Sequence, residues 1–179
     1  MGSNLNPSQR YDTVSQSLHW LMAFLLIGML VMGLTFETIP DEWRKSAVTT
    51  HKATGILLLG LVLMRVLWRF IKPAPALLPA PRPQKIMATL THGILYGLMV
   101  IIPLLGLLMV SARGRAVDFF GLVQIPPLIA ESDTVGAAFY KWHVLGAYIL
   151  IGLICLHIVG ALYHSFILKD GTLRRMTDA

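Results

Sequence analysis

The chain contains six histidines, and each lies within or at the end of a long apolar segment: His19, His51, His92, His143, His157 and His164. Ionisable side chains within lipid are costly and usually have a function. Neutral imidazole is a common metal ligand and binds haem iron axially. The histidines therefore predict either a haem site or, without haem, a path for protons or metal ions.

The spacing of four of these histidines favours haem. His143 and His157 are 14 residues apart, which places them on one helix face about 21 Å apart along the axis. Measured from the middle of each apolar segment, His19 lies at the depth of His157, and His51 lies at the depth of His143. The two pairs fall in opposite halves of the bilayer. Each pair predicts one iron held between two helices. Glycines near these histidines are predicted to give a porphyrin room: Gly28, Gly33, Gly55, Gly60, Gly146 and Gly160.

Two arginines and two further histidines extend this pattern on the inner side. Arg65 shares a helix face with His51, and an arginine in an apolar span needs an anionic or polar partner such as a haem propionate or a quinone oxygen. Arg69 follows one turn later, where it either joins the site or extends to lipid phosphates. His92 and His164 either bind and protonate a quinone or contact propionates and headgroups.

The amino-acid composition indicates that the histidines lie on membrane-spanning helices. The 179 residues are 55% hydrophobic and only 13% charged, with a mean hydropathy of +0.67. Four segments reach the roughly 20 residues needed to cross a bilayer: 18–36, 51–71, 92–112 and 142–168. The predicted fold is an all-α integral membrane four-helix bundle forming one domain over residues 1–179. The single cysteine excludes an internal disulfide, and no Cys-x-x-Cys-His motif is present to attach haem covalently.

The charges predict the orientation of this bundle. The side with both termini and the 72–84 connection carries a net charge of +6, whereas the other side is neutral. Basic residues mark the cytoplasmic face, so both termini are predicted to be cytoplasmic, and no nucleic acid is needed to explain the basic balance. The proline-rich residues 72–84 predict an extended spacer. Residues 113–141 predict an outer loop that forms a small cap.

Several short motifs are similar to those of a known family. Ser17-Leu18-His19-Trp20, His51-Lys52-x-x-Gly55, Arg65-x-x-Trp68-Arg69 and the His143/His157 pair resemble bacterial cytochrome b561. The resemblance implies a four-helix dihaem protein of the bacterial inner (plasma) membrane, and one type in this family is a superoxide oxidase. It implies one haem b on His19 and His157 and another on His51 and His143. It also implies electron transfer between the outer face and ubiquinone, with His92 and His164 as quinone candidates.

Three functions remain open on the sequence alone. The leading hypothesis is superoxide oxidation coupled to ubiquinone reduction, with the anion drawn to basic residues near the outer haem: Lys52, Arg113, Arg115 and Lys141. An alternative is an electron-transfer subunit for a periplasmic protein donor or a dehydrogenase partner. The third is a haem-free proton or metal transporter, which is disfavoured because no predicted span contains Asp or Glu. The predicted partners are the lipid bilayer, quinone, the electron donor and a second copy in a homo-oligomer.

Overall fold

Four long helices dominate the computed structural model, which describes residues 10–76 and 78–177. They are α1 (Thr13–Thr35), α2 (Asp41–Ile71), α3 (Arg82–Ser111) and α4 (Asp133–Tyr163), and α4 continues as a π-helical turn over His164–Leu168. All four are long and apolar enough to cross a membrane. The prediction of a four-helix membrane protein is confirmed.

Each helix begins before its predicted apolar span, and side chains cap the first turns of α1 and α4. The Asp12 carboxylate accepts from the Ser15 amide at the start of α1, and the Ser132 hydroxyl accepts from the Val135 amide at the start of α4. Pro81 precedes α3, and Pro83 lies in its first turn, where proline costs no helical hydrogen bond. The predicted spacer over 72–84 was therefore too long, since its last residues are helical.

Each helix packs mainly against the helices next to it in the sequence. Within the described residues, extensive backbone contact joins α1 to α2, α2 to α3 and α3 to α4, but not α4 to either α1 or α2. One apolar cluster around Met22 and Val62 joins α1, α2 and α3, and another around Ile102 and Leu150 joins α3 to α4, with two leucines of α1 packed against it. We call the region between α4 and the α1–α2 pair, where backbone contacts are few, the central slot.

The segment predicted as an outer cap contains a small β-hairpin. Strands β1 (Val117–Phe119) and β2 (Val123–Ile125) pair antiparallel, and β1 packs against α2. Val117 is buried, which anchors the hairpin to the bundle. Gly121 has φ +73° in the connecting turn, a conformation that favours glycine. The hairpin is a small departure from the predicted all-α fold.

The first and last described segments of the chain meet at the opposite face of the bundle. A 3₁₀ helix over Leu173–Met176 follows the π-helical turn. The Tyr11 amide donates to the Arg175 carbonyl at 3.1 Å, and the Trp20 indole donates to the Met176 carbonyl at 2.8 Å. We call this the terminal face, and the end that carries the hairpin the hairpin face. The cytoplasmic location of the terminal face remains a prediction.

Candidate functional site

Four histidines form two matched pairs across the central slot. The rings of His19 on α1 and His157 on α4 have centroids 6.2 Å apart, and those of His51 on α2 and His143 on α4 are also 6.2 Å apart. The first pair lies toward the terminal face and the second toward the hairpin face. The structure therefore brings together the pairs that helical spacing predicted.

The ring separation suits an axial pair on a single metal. A metal–nitrogen bond is about 2 Å, and the ring centre lies about 1 Å beyond the nitrogen, so two imidazoles on one iron have centroids about 6 Å apart. Among the described residues, no group of three or more His, Cys, Asp or Glu side chains is arranged to hold a metal ion. Each pair offers two ligands, which is what a porphyrin-bound iron requires of the protein.

Hydrogen bonding distinguishes the two histidines nearer the hairpin face. The Nδ1 of His143 donates to the Ile102 carbonyl at 2.9 Å, which leaves Nε2 as the nitrogen available to a metal. The Nδ1 of His51 is buried without a hydrogen-bond partner. Buried polar atoms nearly always have a partner. An unpartnered ring nitrogen here fits a site that is completed by a group other than the protein.

The helical glycines differ in the space that surrounds them. A Cβ built at Gly28, Gly60 or Gly160 would meet no atom within 4 Å, so these positions leave open space. A Cβ at Gly146 would lie 3.0 Å from Ile102 Cγ1. Gly146 therefore allows α4 to approach α3, and it does not provide the room for a porphyrin that its spacing from His143 suggested.

The two other histidines lie in different environments. The His92 ring is 5.3 Å from that of His157, so His92 joins the His19–His157 pair from α3. His164 instead contacts Asp170, whose other carboxylate oxygen accepts from the Thr172 hydroxyl at 2.7 Å. Burial raises the pKa of Asp170, but the hydrogen bonds from His164 and Thr172 outweigh it and lower the pKa below the usual 3.8. Neither Asp170 nor Thr172 was predicted from the sequence to be a site residue.

Arg65 is buried, with 6% of its surface exposed, and it has protein partners. Its Nε donates to the Tyr96 hydroxyl at 2.8 Å, and a terminal nitrogen donates to the Ser15 carbonyl at 2.7 Å. The polar partners that an arginine needs in an apolar span are thus supplied by α1 and α3. Tyr96 was missed by the sequence analysis, although its position one turn after His92 on α3 is a signal that could have found it.

Arg69 lies one turn beyond Arg65. Its guanidinium carbon stands 4.7 Å from the centre of the Tyr11 ring, a cation–π contact. One of its terminal nitrogens is buried without a hydrogen-bond partner. Both arginines are close enough to His19 to interact with it electrostatically. Two positive charges therefore lie near His19.

Basic residues also lie near the His51–His143 pair. Lys52, next to His51, interacts electrostatically with Arg113 and Arg115. Lys141 is an exposed residue on α4, two positions before His143. A Cβ at Gly114 would lie 2.8 Å from a Glu131 carboxylate oxygen, so one negative charge lies beside the residue that separates the two arginines. The hairpin face thus carries a local positive cluster with one acidic neighbour.

A bundle of four membrane-spanning helices with histidines paired across a slot belongs to the class of membrane electron-transfer cytochromes. Residues 10–179 match the prokaryotic cytochrome b561 family. The chain is 36% identical over 174 residues to cytochrome b561 homolog 2 of Escherichia coli (strain K12), covering 96% of this chain and 93% of that protein. It is 31% identical to cytochrome b561 homolog 1 of the same organism, covering 93% and 96%.

A third relative has a more specific name. The probable superoxide oxidase CybB of Yersinia pestis is 28% identical, with coverage of 94% of this chain and 96% of that protein. On these matches the chain belongs to the prokaryotic cytochrome b561 family, whose members bind haem b. It is a multi-pass electron-transfer protein of the bacterial inner membrane.

Proposed function

We propose that the chain holds two haem b groups, one on His19 and His157 and one on His51 and His143, and carries electrons across the inner membrane to ubiquinone. The observation that carries this proposal is the equal separation of 6.2 Å in both histidine pairs across the central slot. The bound haems supply one-electron transfer. With two histidines held to each haem, neither iron would have an open position for oxygen.

The protein residues around the haems set charge and access. Arg65 and Arg69 place two positive charges near the His19–His157 pair, which favours propionates and stabilises an added electron there. The apolar helices exclude water along the slot. These features support electron flow from the hairpin face, which the charge balance predicts to be periplasmic, to the terminal face.

We propose superoxide as the electron donor at the hairpin face. Two superoxide anions each give up one electron to become O₂, and one ubiquinone takes both electrons and two protons to become ubiquinol. Lys52, Arg113 and Arg115, with Lys141 on α4, attract the anion toward the outer haem. Support comes from the local cluster at Lys52 and from the relative named as a probable superoxide oxidase.

We place quinone reduction near the terminal face, with His92 and His164 as the residues that bind quinone or supply its protons. The position of His92 beside His157 supports its part, because it puts a proton-bearing ring next to the inner haem ligand. Asp170 holds the Nδ1 of His164, so Nε2 is the ring nitrogen left for a quinone or a proton. The protons come from the cytoplasm if the terminal face is cytoplasmic.

The first experiment is a haem count. The protein is purified in detergent with haem supplied during expression, and a pyridine haemochrome assay gives haem b per chain. We expect two. The same sample is mixed with superoxide and a short-chain ubiquinone, and ubiquinol should form only with intact protein. A single haem or none would overturn the dihaem arrangement, and two haems without superoxide-dependent ubiquinol would overturn the donor assignment alone.

A second candidate function has the same two haems but a different electron donor. The relative at 36% identity has a name that specifies a cytochrome b561 but no substrate. The exposed β-hairpin at the hairpin face is a surface on which a protein donor or dehydrogenase subunit could dock. This candidate predicts two haems per chain and no superoxide-dependent formation of ubiquinol. It also predicts that a co-purifying protein reduces the haems.

A further inference from the structure

The contact between His143 and α3 suggests how this histidine is held. A carbonyl oxygen can only accept a hydrogen bond, so the His143 Nδ1 carries the hydrogen that is directed to Ile102 at 2.9 Å. This bond fixes both the tautomer and the plane of the ring. His51, the other histidine of the pair, has no such bond, since its Nδ1 is buried without a partner. Fixed orientation of the pair therefore depends on His143.

Gly106 lies one turn after Ile102 and directly against the same ring. A Cβ at this position would lie 3.1 Å from Cε1 and 3.2 Å from Nδ1 of His143, closer than carbon atoms of neighbouring side chains normally approach. Residues four apart on a helix share a face. Ile102 and Gly106 thus form one surface of α3 on which the imidazole rests.

A second glycine, on α4, maintains the close approach that this contact needs. Gly146 follows His143 by one turn, and a Cβ there would lie 3.0 Å from Ile102 Cγ1. Gly106 on α3 faces α4, and Gly146 on α4 faces α3, at the same height along the bundle. Without side chains at either position, the Ile102 carbonyl reaches the ring.

We propose that Gly106 is a positioning residue for the outer haem ligand and acts through the His143 ring. A methyl group at residue 106 displaces the ring, weakens its bond to the Ile102 carbonyl and makes the imidazole a poorer donor to iron. The inference rests on the proposed role of His143 in binding haem. It adds a determinant on α3, a helix that supplies neither ligand of the outer haem.

The test compares Gly106→Ala with Gly97→Ala. Gly97 lies on the same helix, about half a turn around from Gly106, and a Cβ there would meet no atom within 4 Å. Both variants and the wild type are purified for haem count, redox titration and electron paramagnetic resonance of the oxidised haems. We expect Gly97→Ala to match the wild type. In Gly106→Ala, we expect one haem to be retained about 10-fold more weakly or to titrate at a higher potential, with its low-spin signal changed.

A double variant separates positioning from helix packing. If Gly106 acts only through the ring, adding Gly106→Ala to His143→Ala changes inner haem content and thermal stability no more than adding Gly97→Ala does, because the ring is already gone and both changes have the same effect on helix propensity. Wild-type signals and potentials for both haems in Gly106→Ala would overturn the inference. A lower stability of the Gly106 double variant than of the Gly97 double variant would overturn it as well, because the added methyl group would then disturb packing without the ring.

The same samples distinguish this result from failure of the proposed function. If the wild type lacks a second haem, or His143→Ala keeps both, the haem assignment itself is wrong. If the wild type has two haems, His143→Ala loses one and Gly106→Ala is unchanged, only the role of Gly106 is wrong.

Discussion

Arg65 on α2 donates from Nε to the hydroxyl of Tyr96 on α3, with 2.8 Å between the two atoms. The guanidinium is almost fully buried, so this bond joins two membrane-spanning helices where water is scarce. A buried hydrogen bond to a charged group is worth more than one at a surface. The pair links the packing of α2 and α3 to the charge beside His19.

Tyr96→Phe should therefore weaken the bundle. The substitution leaves a buried Arg65 donor without its partner, and we expect a loss of about 1–3 kcal/mol in the free energy of unfolding. Tyr148→Phe is the control, because Tyr148 is exposed on α4 and should change little. Thermal unfolding of both variants in the same detergent measures the difference. Equal melting temperatures for the two variants would show that the hydroxyl contributes nothing.

Single histidine substitutions should remove the haems one at a time. His51→Ala should lose the outer haem and retain the inner one, and His19→Ala should do the reverse, because each iron loses one of its two axial ligands. His164→Ala should retain both haems, since its ring contacts Asp170 instead of the paired histidines. Haem per chain and the reduced-minus-oxidised spectrum are measured for each. Loss of both haems from either of the first two variants would contradict the pairing.

Charge changes at the hairpin face should alter the rate of superoxide oxidation in opposite directions. Arg115→Gln removes a positive charge near Lys52 and should slow the reaction by about threefold at low salt, a fraction of the gain that a charged surface gives. Glu131→Gln removes the negative charge beside Gly114 and should speed it up by about the same factor.

High salt provides the internal control for this prediction. Screening shortens the range of each charge, so the two variants should converge on the wild-type rate as the ionic strength rises. Rates are followed as ubiquinol formation under a steady supply of superoxide. Differences that persist unchanged at high salt would mean that the substitutions disturb the structure and not the encounter.

Asp170→Asn should make the terminal face less stable at neutral pH and make little difference in acid. The lowered pKa of Asp170 in the folded state means that its ionised form is favoured by folding. That contribution is fully present above the unfolded pKa of about 4 and is lost as the pH falls through the folded value. The gap in melting temperature between wild type and variant should therefore be present at pH 7 and shrink below pH 4.

Glu37→Gln, which changes an exposed carboxylate in the turn between α1 and α2, is the control for general effects of charge. It should unfold like the wild type at both pH values. Hydrogen exchange of residues 164–177 gives a local measurement. If exchange there is the same in Asp170→Asn and the wild type at pH 7, the contact with His164 does not stabilise the segment.

The sequence by itself determined the four membrane spans and the two histidine pairs. Apolar length identifies a span, because backbone polar groups in lipid must be satisfied within a helix. A fixed rise and rotation per residue set the depth and face of each histidine along its own helix. His19, His51, His143 and His157 could therefore be matched by depth before any helix was placed beside another.

Only the tertiary structure decided which helix face meets which. The bond from Arg65 to Tyr96, the seat of His143 on Ile102 and Gly106, and the contact of His164 with Asp170 all depend on how the elements are arranged and how closely they approach. Gly146 shows the limit most directly, since its spacing from His143 suggested room for a porphyrin and its Cβ would instead meet α3. Helical periodicity fixes positions within one helix, whereas packing between helices selects the partners.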